Sequence, residues 1–191
     1  MTPLLRTFLL VALIATSLVT AGCAGSNRIE VRTVGETEGL YIDIGELKYQ
    51  VQISRELNPG DREDSAYLVG LPAGEKLKND ESWFGVFVRA QNTTEEKTLP
   101  MAEDFEIVDS EGHHYEPVDI NLELNPWAYK PGDLEPGGLF PPPNSVQAQG
   151  PIKGGLLLFK IPVEAYQNRP FEFEIHGPGE AKDTGMVNLD V

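Results

Sequence analysis

From residue 40 onward, apolar side chains recur at every second position. Leu47, Tyr49, Val51 and Ile53 alternate with Lys48, Gln50, Gln52 and Ser54, which predicts a strand with one dry and one wet face. Phe105 and Ile107 alternate with Asp104 and Glu106. Phe171, Phe173 and Ile175 alternate with Glu172, Glu174 and His176, and Val187, Leu189 and Val191 with Asn188 and Asp190. Two stretches break this rule by being apolar on both parities, Trp83 to Ala90 and Leu156 to Ile161. Such runs predict strands covered on both faces. Tyr41 to Ile44 and His113 to Val118 are weaker strand candidates, and Val163 to Asn168 fits a single helical turn. No stretch after the N-terminal region holds a 3.6-residue apolar period over three turns. The pattern predicts an all-β antiparallel sandwich of about seven or eight strands.

Turn chemistry supports that count. Asp109-Ser110-Glu111-Gly112 has Asp first and Gly fourth, the preference of a type I turn, and joins two candidate strands as a hairpin. Asn92 closes the Trp83 strand as a turn residue; Asn92-Thr93-Thr94 also fits a glycosylation acceptor. Two segments lack a strand pattern. Asn58 to Glu81 is acidic and mixed in charge. Asn125 to Pro143 has Pro or Gly at nine of nineteen positions and carries Trp127, Tyr129 and Phe140. A loop of that length is often functional, and proline lowers the entropy lost on ordering it. The three aromatics are therefore candidate partner-binding residues. The other reading has them cap one end of the core.

The N-terminus has a different character. Arg6 precedes an apolar run, Phe8 to Val19, followed by Thr20-Ala21-Gly22 and then Cys23. This resembles the bacterial lipoprotein signal, which implies cleavage before Cys23, lipidation there, and an extracytoplasmic, membrane-anchored product. A plain signal peptide is the competing reading. A spanning anchor needs ~20 apolar residues, more than this run offers. Residues 1–22 are thus expected to be a signal peptide, residues 23–39 a lipidated cysteine and tether with a short strand at 29–34, and residues 40–191 the sandwich. Two acyl chains suffice for stable anchoring.

Charge and cysteine usage narrow the partners. Fifteen Lys and Arg against thirty Asp and Glu give a net charge of −15. Such a surface repels nucleic acid and anionic headgroups, so the acyl chains must hold the protein to the membrane. The single cysteine excludes an intrachain disulfide and a Cys-rich zinc site.

The stretch from about Leu40 to Val191 resembles a family of bacterial extracytoplasmic lipoprotein domains of unknown function. The shared features are Val86-Phe87-Val88 leading to Asn92, then Asp109 with Gly112 and Tyr115, then Gly155-Leu156-Leu157-Leu158-Phe159-Lys160-Ile161-Pro162. The resemblance implies an immunoglobulin-like sandwich, similar in fold to the secreted immunoprotective antigens. It implies no activity and no cofactor.

Candidate chemistry is sparse. There is no Gly-x-Ser-x-Gly elbow, Ser-x-x-Lys motif or phosphate-cradling loop, so no catalytic residue is assigned and no enzyme is expected. The expected role is a cell-envelope interaction module with an envelope protein partner. The alternative is a divalent-cation binder. His113-His114 lies among Asp109, Glu111, Glu116 and Asp119, but neighbours on a strand point to opposite faces, so the two rings do not readily share an ion. His176 shares a face with Glu174, roughly 6.6 Å along the strand. Asp61, Glu63 and Asp64 are spaced for oxygen ligation but lack the calcium-loop pattern.

Overall fold

The computed structural model describes residues 32–178 and 183–189. Its strands are β1 (Arg32–Gly35), β2 (Tyr41–Ile44), β3 (Leu47–Leu57), β4 (Glu81–Asn92), β5 (Leu99–Pro100), β6 (Asp104–Val108), β7 (His114–Tyr115), β8 (Asp133–Leu134), β9 (Leu139–Phe140), β10 (Gly155–Pro162), β11 (Phe171–His176) and β12 (Thr184–Leu189). Eight of these have four or more residues, and the other four have two. The helical pieces are α1 (Asp64–Tyr67), α2 (Val146–Gln149) and a single 3-10 turn, Val163–Gln167. Among the described residues no helix is long and apolar enough to cross a membrane.

The chain folds as an all-β sandwich. The front sheet has the order β1-β12-β11-β6-β7, and the back sheet β10-β4-β3-β2, with β9 added beside β4. Among the named strands all pairings are antiparallel except β1 with β12. Between the sheets, Phe105, Ile107, Phe171, Phe173, Ile175, Val187 and Leu189 of the front sheet meet Tyr49, Val51, Phe84, Val86, Val88, Phe159 and Ile161 of the back sheet. Each set sits at alternate positions, because successive strand residues face opposite ways.

The doubly apolar strands have the two covers that their pattern predicts. Phe84, Val86, Val88 and Ala90 of β4 enter the inter-sheet core, while Trp83 and Phe87 point outward into a second cluster with Leu57, Tyr67, Leu156 and Leu158. Leu68, Leu71, Leu77, Val118, Ile120, Trp127 and Ile152 lie over that cluster. The acidic segment after β3, together with Val118, Ile120, Trp127 and Ile152, thus forms a roof on the back sheet. Buried Asn125 fastens it: its amide donates to the carbonyls of Tyr67 and Val69, both at 2.8 Å, and its Oδ1 accepts from the Trp127 N–H at 2.9 Å.

Ile53 departs from the expected alternation. The β3–β4 register shifts between Val51 and Ile53, and a bulge of this kind turns the following residues to the other face. Ile53 therefore pairs with outward-facing Phe87 and stays 37% exposed, while Leu57, of the same parity as Tyr49, joins the outer cluster.

The expected boundary at residue 40 also moves. β1 is already part of the front sheet, with Gly35 buried, and the Glu38 carboxylate accepts from the Ser54 N–H at 3.1 Å. The body begins by residue 32, which shortens the expected tether. Residues 1–22, Cys23 and residues 29–31 of the expected first strand lie outside the described residues, as do Asp190 and Val191.

Candidate functional site

The three loop aromatics are not a free contact surface. Tyr129 and Phe140 are 4% and 6% exposed, inside the inter-sheet core. The Tyr129 ring packs edge-on to Phe105 and Phe140, with centroids 5.0 and 4.9 Å apart. Its hydroxyl donates to the Ala102 carbonyl at 2.9 Å, and the Ala102 N–H donates to the Tyr49 hydroxyl at 2.7 Å. Burial pushes the Tyr49 phenol up to about 12 and raises Tyr129 further. Trp127, partly buried, packs edge-on to Tyr67 at 5.4 Å in the roof. Two of the loop's three rings are therefore core residues. An apolar ring on a proline-rich loop gains more by entering the core than by waiting in water for a partner.

His113 and His114 are separated by the pleat and have different partners. Asp109, whose carboxylate is fully shielded, is a hub for the β6–β7 turn. It accepts from the backbone N–H groups of Glu111 and His113, both at 3.0 Å, from the His113 ring at 2.9 Å, from the Tyr115 hydroxyl at 3.0 Å and from the Asn168 amide at 3.3 Å. Burial works against its charge, but these donors outweigh burial and hold the carboxyl well below the usual range. The predicted turn is present: the Gly112 N–H reaches the Asp109 carbonyl at 2.9 Å, and Gly112 takes a φ of 81° that favours glycine. This constellation is structural, and its oxygens are committed.

His114 belongs to a second cluster, on the outer face of the front sheet. Its Nδ1 lies 2.5 Å from Glu106 Oε2, while His176 Nε2 lies 3.0 Å from Glu106 Oε1 and 3.9 Å from Glu174 Oε2. Glu106 and Glu174 are directly paired across β6 and β11. Arg32 holds Glu174 Oε1 at 2.5 Å, and Thr184 Oγ1 is 3.4 Å from His176 Nδ1. Burial raises the Glu106 carboxyl, but the hydrogen bonds from both histidines outweigh it and leave it below its ordinary value. One ligating atom each from Glu106, Glu174 and His176 lies within 4.8 Å of the other two. The sequence shows that Glu174 and His176 share a face. It does not show Glu106, Arg32 or Thr184 beside them, because strand register is set by distant pairing.

The acidic loop does not assemble a cation site. Buried Asp64 pairs with Arg55 and accepts from the Asn58 N–H at 2.8 Å, and Asp61 Oδ1 accepts from the N–H groups of Glu63 and Asp64 at 2.8 and 3.1 Å. The Arg55 hydrogen bond lowers the Asp64 carboxyl. Asn92 is also internal: its fully buried amide donates to the carbonyls of Lys97 and Leu134 at 2.7 and 2.8 Å. It stitches the β4 end to β8, which fits the turn reading and leaves no exposed acceptor for a glycan.

A cleft of about 430 Å³ opens beside the outer edge of β10, which two other stretches of the chain partly cover. The chain leaves β7 and crosses to the back sheet, where the Val118 N–H meets the Leu158 carbonyl at 2.7 Å; farther along, the Tyr129 N–H meets the Leu156 carbonyl at 2.8 Å. Between these two attachments, Leu157, Ile120 and Leu122 form an apolar floor, and Glu103, Glu116 and Asp119 an acidic rim.

No protein-family model matches the chain, and no curated protein matches it. Among solved structures, it is similar to the yjhA protein from Bacillus subtilis, with a TM-score of 0.55 at 15% identity, covering 81% of this chain and 99% of that one. It is also similar to a putative lipoprotein, ycdA, from Bacillus subtilis, with a TM-score of 0.48 at 12% identity, covering 82% of this chain and 39% of the other. A third is an uncharacterized β-sandwich protein from Clostridium difficile, with a TM-score of 0.44 at 10% identity, covering 84% and 97%. At such identities the likeness concerns the fold alone.

Proposed function

We propose that the protein is a lipid-anchored, extracytoplasmic binding module of the bacterial envelope, without a catalytic step, which captures a protein partner at the β10 edge. The anchor rests on the sequence: one cysteine in the whole chain, placed directly after an apolar run and three small residues. The observation that carries the binding role is the cleft with its apolar floor and carboxylate rim. Its chemistry suits an extended segment that inserts an apolar side chain and flanks it with Lys or Arg. Opposite charges at the rim steer encounter and set specificity, and the apolar contact supplies affinity.

Two measurements test this reading. The mass of the mature N-terminus should show a diacylglyceryl group on Cys23, and Cys23→Ser should release the protein from the membrane fraction. A synthetic peptide alternating Lys and Leu should bind the purified protein in titration calorimetry. Glu116→Lys with Asp119→Lys should abolish that heat, and Glu95→Lys, away from the cleft, should not. Equal binding by both variants would show that the cleft is not where the peptide binds.

A further inference from the structure

Two carboxylates directly opposite each other on neighbouring strands repel. Glu106 and Glu174 are in that position, and each is only partly exposed, with side chains at 22% and 13%. Arg32 engages one oxygen of Glu174, Oε1. The remaining oxygen, Glu174 Oε2, turns toward His176 Nε2, as does Glu106 Oε1. One imidazole nitrogen thus stands between two carboxylate oxygens of adjacent strands.

The groups around these three atoms are arranged for ligation. Each donor residue has its other polar atom held from outside the trio: Glu174 Oε1 by Arg32, Glu106 Oε2 by His114, and His176 Nδ1 by Thr184. Such outer partners fix a ligand's orientation and, for histidine, select the nitrogen that faces the ion. Asp109 is the contrast within the same hairpin. Both of its oxygens are already filled by donors, so nothing there remains to bind an ion. Two of the trio, Glu174 and His176, border a surface recess of about 400 Å³ that Arg32 and Thr184 also line, which leaves room for an exchangeable ligand.

We propose that Glu106, Glu174 and His176 form a binding site for a divalent first-row transition ion of the zinc type, held by two carboxylate oxygens and one imidazole nitrogen with a coordination position open to the recess. Three atoms within 4.8 Å of one another close onto an ion at ~2.0–2.2 Å by small side-chain rotations. The nitrogen donor and the low ligand count disfavour Ca²⁺, which takes about 6–8 oxygens. His114 adds a fourth donor if it leaves Glu106 Oε2. The site is independent of the β10 cleft and of the anchor.

The test uses the mature full-length protein in detergent micelles and Zn²⁺ as the probe, in a buffer that does not chelate it. Calorimetry should give one ion per chain, with Ca²⁺ failing to compete at equal concentration. His176→Gln and Glu106→Gln should each weaken Zn²⁺ by at least ~10-fold. Thr184→Val, which leaves the three donors in place but frees the His176 ring, should also weaken it by about tenfold. His113→Gln and Asp61→Asn should bind as the parent does. Circular dichroism of each variant separates loss of the site from loss of the fold. Co²⁺ titration of the parent supplies a second readout, a visible absorption band that vanishes with His176→Gln. The proposal is overturned by the absence of stoichiometric Zn²⁺ binding, by binding that survives His176→Gln, or by equal affinity for Ca²⁺.

Discussion

The outer face of the back sheet carries Trp83, Phe87, Leu156 and Leu158 beneath a roof of loops, whereas that of the front sheet carries Glu106, Glu172, Glu174 and His176, each only partly covered. Both faces belong to the same sandwich, although β3, β4 and β10 of the back sheet have 11, 12 and 8 residues and β6, β11 and β12 of the front sheet 5, 6 and 6. They differ in which parity of each strand is apolar. On β4 and β10 both parities are, so the second must be buried, and the cover comes from the acidic segment after β3 with Val118, Ile120, Trp127 and Ile152. On β6 and β11 only one parity is apolar, and the other is left to polar groups that ligands can reach. One face is buried beneath loops, and the other stays partly open to solvent.

The sharpest way to break this contrast is to empty the roofed side. Phe87→Ala should cost about 3–5 kcal/mol, because Phe87 is fully buried and its ring packs edge-on to Tyr67 at 5.1 Å. Urea unfolding gives the number. A loss below about 1 kcal/mol would mean that the roof is a detachable flap. Tyr129→Ala should cost as much, since it empties core volume and orphans the Ala102 carbonyl. Asn125→Ala should cost about 2–4 kcal/mol, as two backbone carbonyls lose their shared donor and the Trp127 N–H its acceptor. Hydrogen exchange should rise across residues 58–80 and 118–127 first, with the inter-sheet strands following only near the global transition.

Much of this division was legible in the chain. Alternation located β3, β6, β11 and β12, β2 stood among the weaker candidates, β1 reads from sequence only as part of a short strand in the tether, and the doubly apolar runs marked β4 and β10 as covered twice. The sequence could not say what covered them, because the roof residues Leu68, Leu71, Leu77 and Ile120 follow no strand or helix period. Their positions are set by Asn125 and by the Asn121 N–H reaching the Gly70 carbonyl at 2.8 Å, contacts between segments some fifty residues apart. The bulge at Ile53 was hidden for a related reason, since an extra residue leaves no mark on the polar–apolar alternation. The aromatic loop misled because a ring bound for the core and a ring bound for a partner have the same composition. At the front sheet, Glu174 and His176 could be placed on one face, but Glu106 joins them only through the β6–β11 register.

Asp109 is the exception on the front-sheet side, a buried charge amid half-exposed ones, and acid exposes the difference. Asp109→Asn keeps the shape but puts an amide donor among groups that already donate, so at pH 7 it should cost about 1.5–3 kcal/mol. The sign of the pH effect follows from the depressed carboxyl. Its stabilisation is complete above the unfolded value of ~3.9 and is lost as pH falls toward the folded one. The melting temperatures of parent and variant should therefore converge below about pH 3. His113 acts in the opposite sense: the Asp109 hydrogen bond raises its pKa, so its smaller share is lost as pH climbs through that raised value. Parallel melting curves from pH 2 to 7 would show that the hub's worth does not depend on its charge.

The smallest stability effect is expected where the chemistry is most concentrated. Glu106→Gln removes one of two facing carboxylates and so relieves repulsion from Glu174, while it weakens the bonds from His114 and His176. These changes oppose each other on a surface where ion pairs contribute little, because solvent screens them. The net change in unfolding free energy, without metal, should fall within about 0.5 kcal/mol of zero. A loss above about 2 kcal/mol would place the cluster with Asp109 as structural. A near-zero result has a further consequence. Carboxylates that the fold does not need, yet holds opposite each other with their outer oxygens tied to Arg32 and His114, are arranged for something other than stability, and any zinc dependence they confer can be read against an unchanged apo protein.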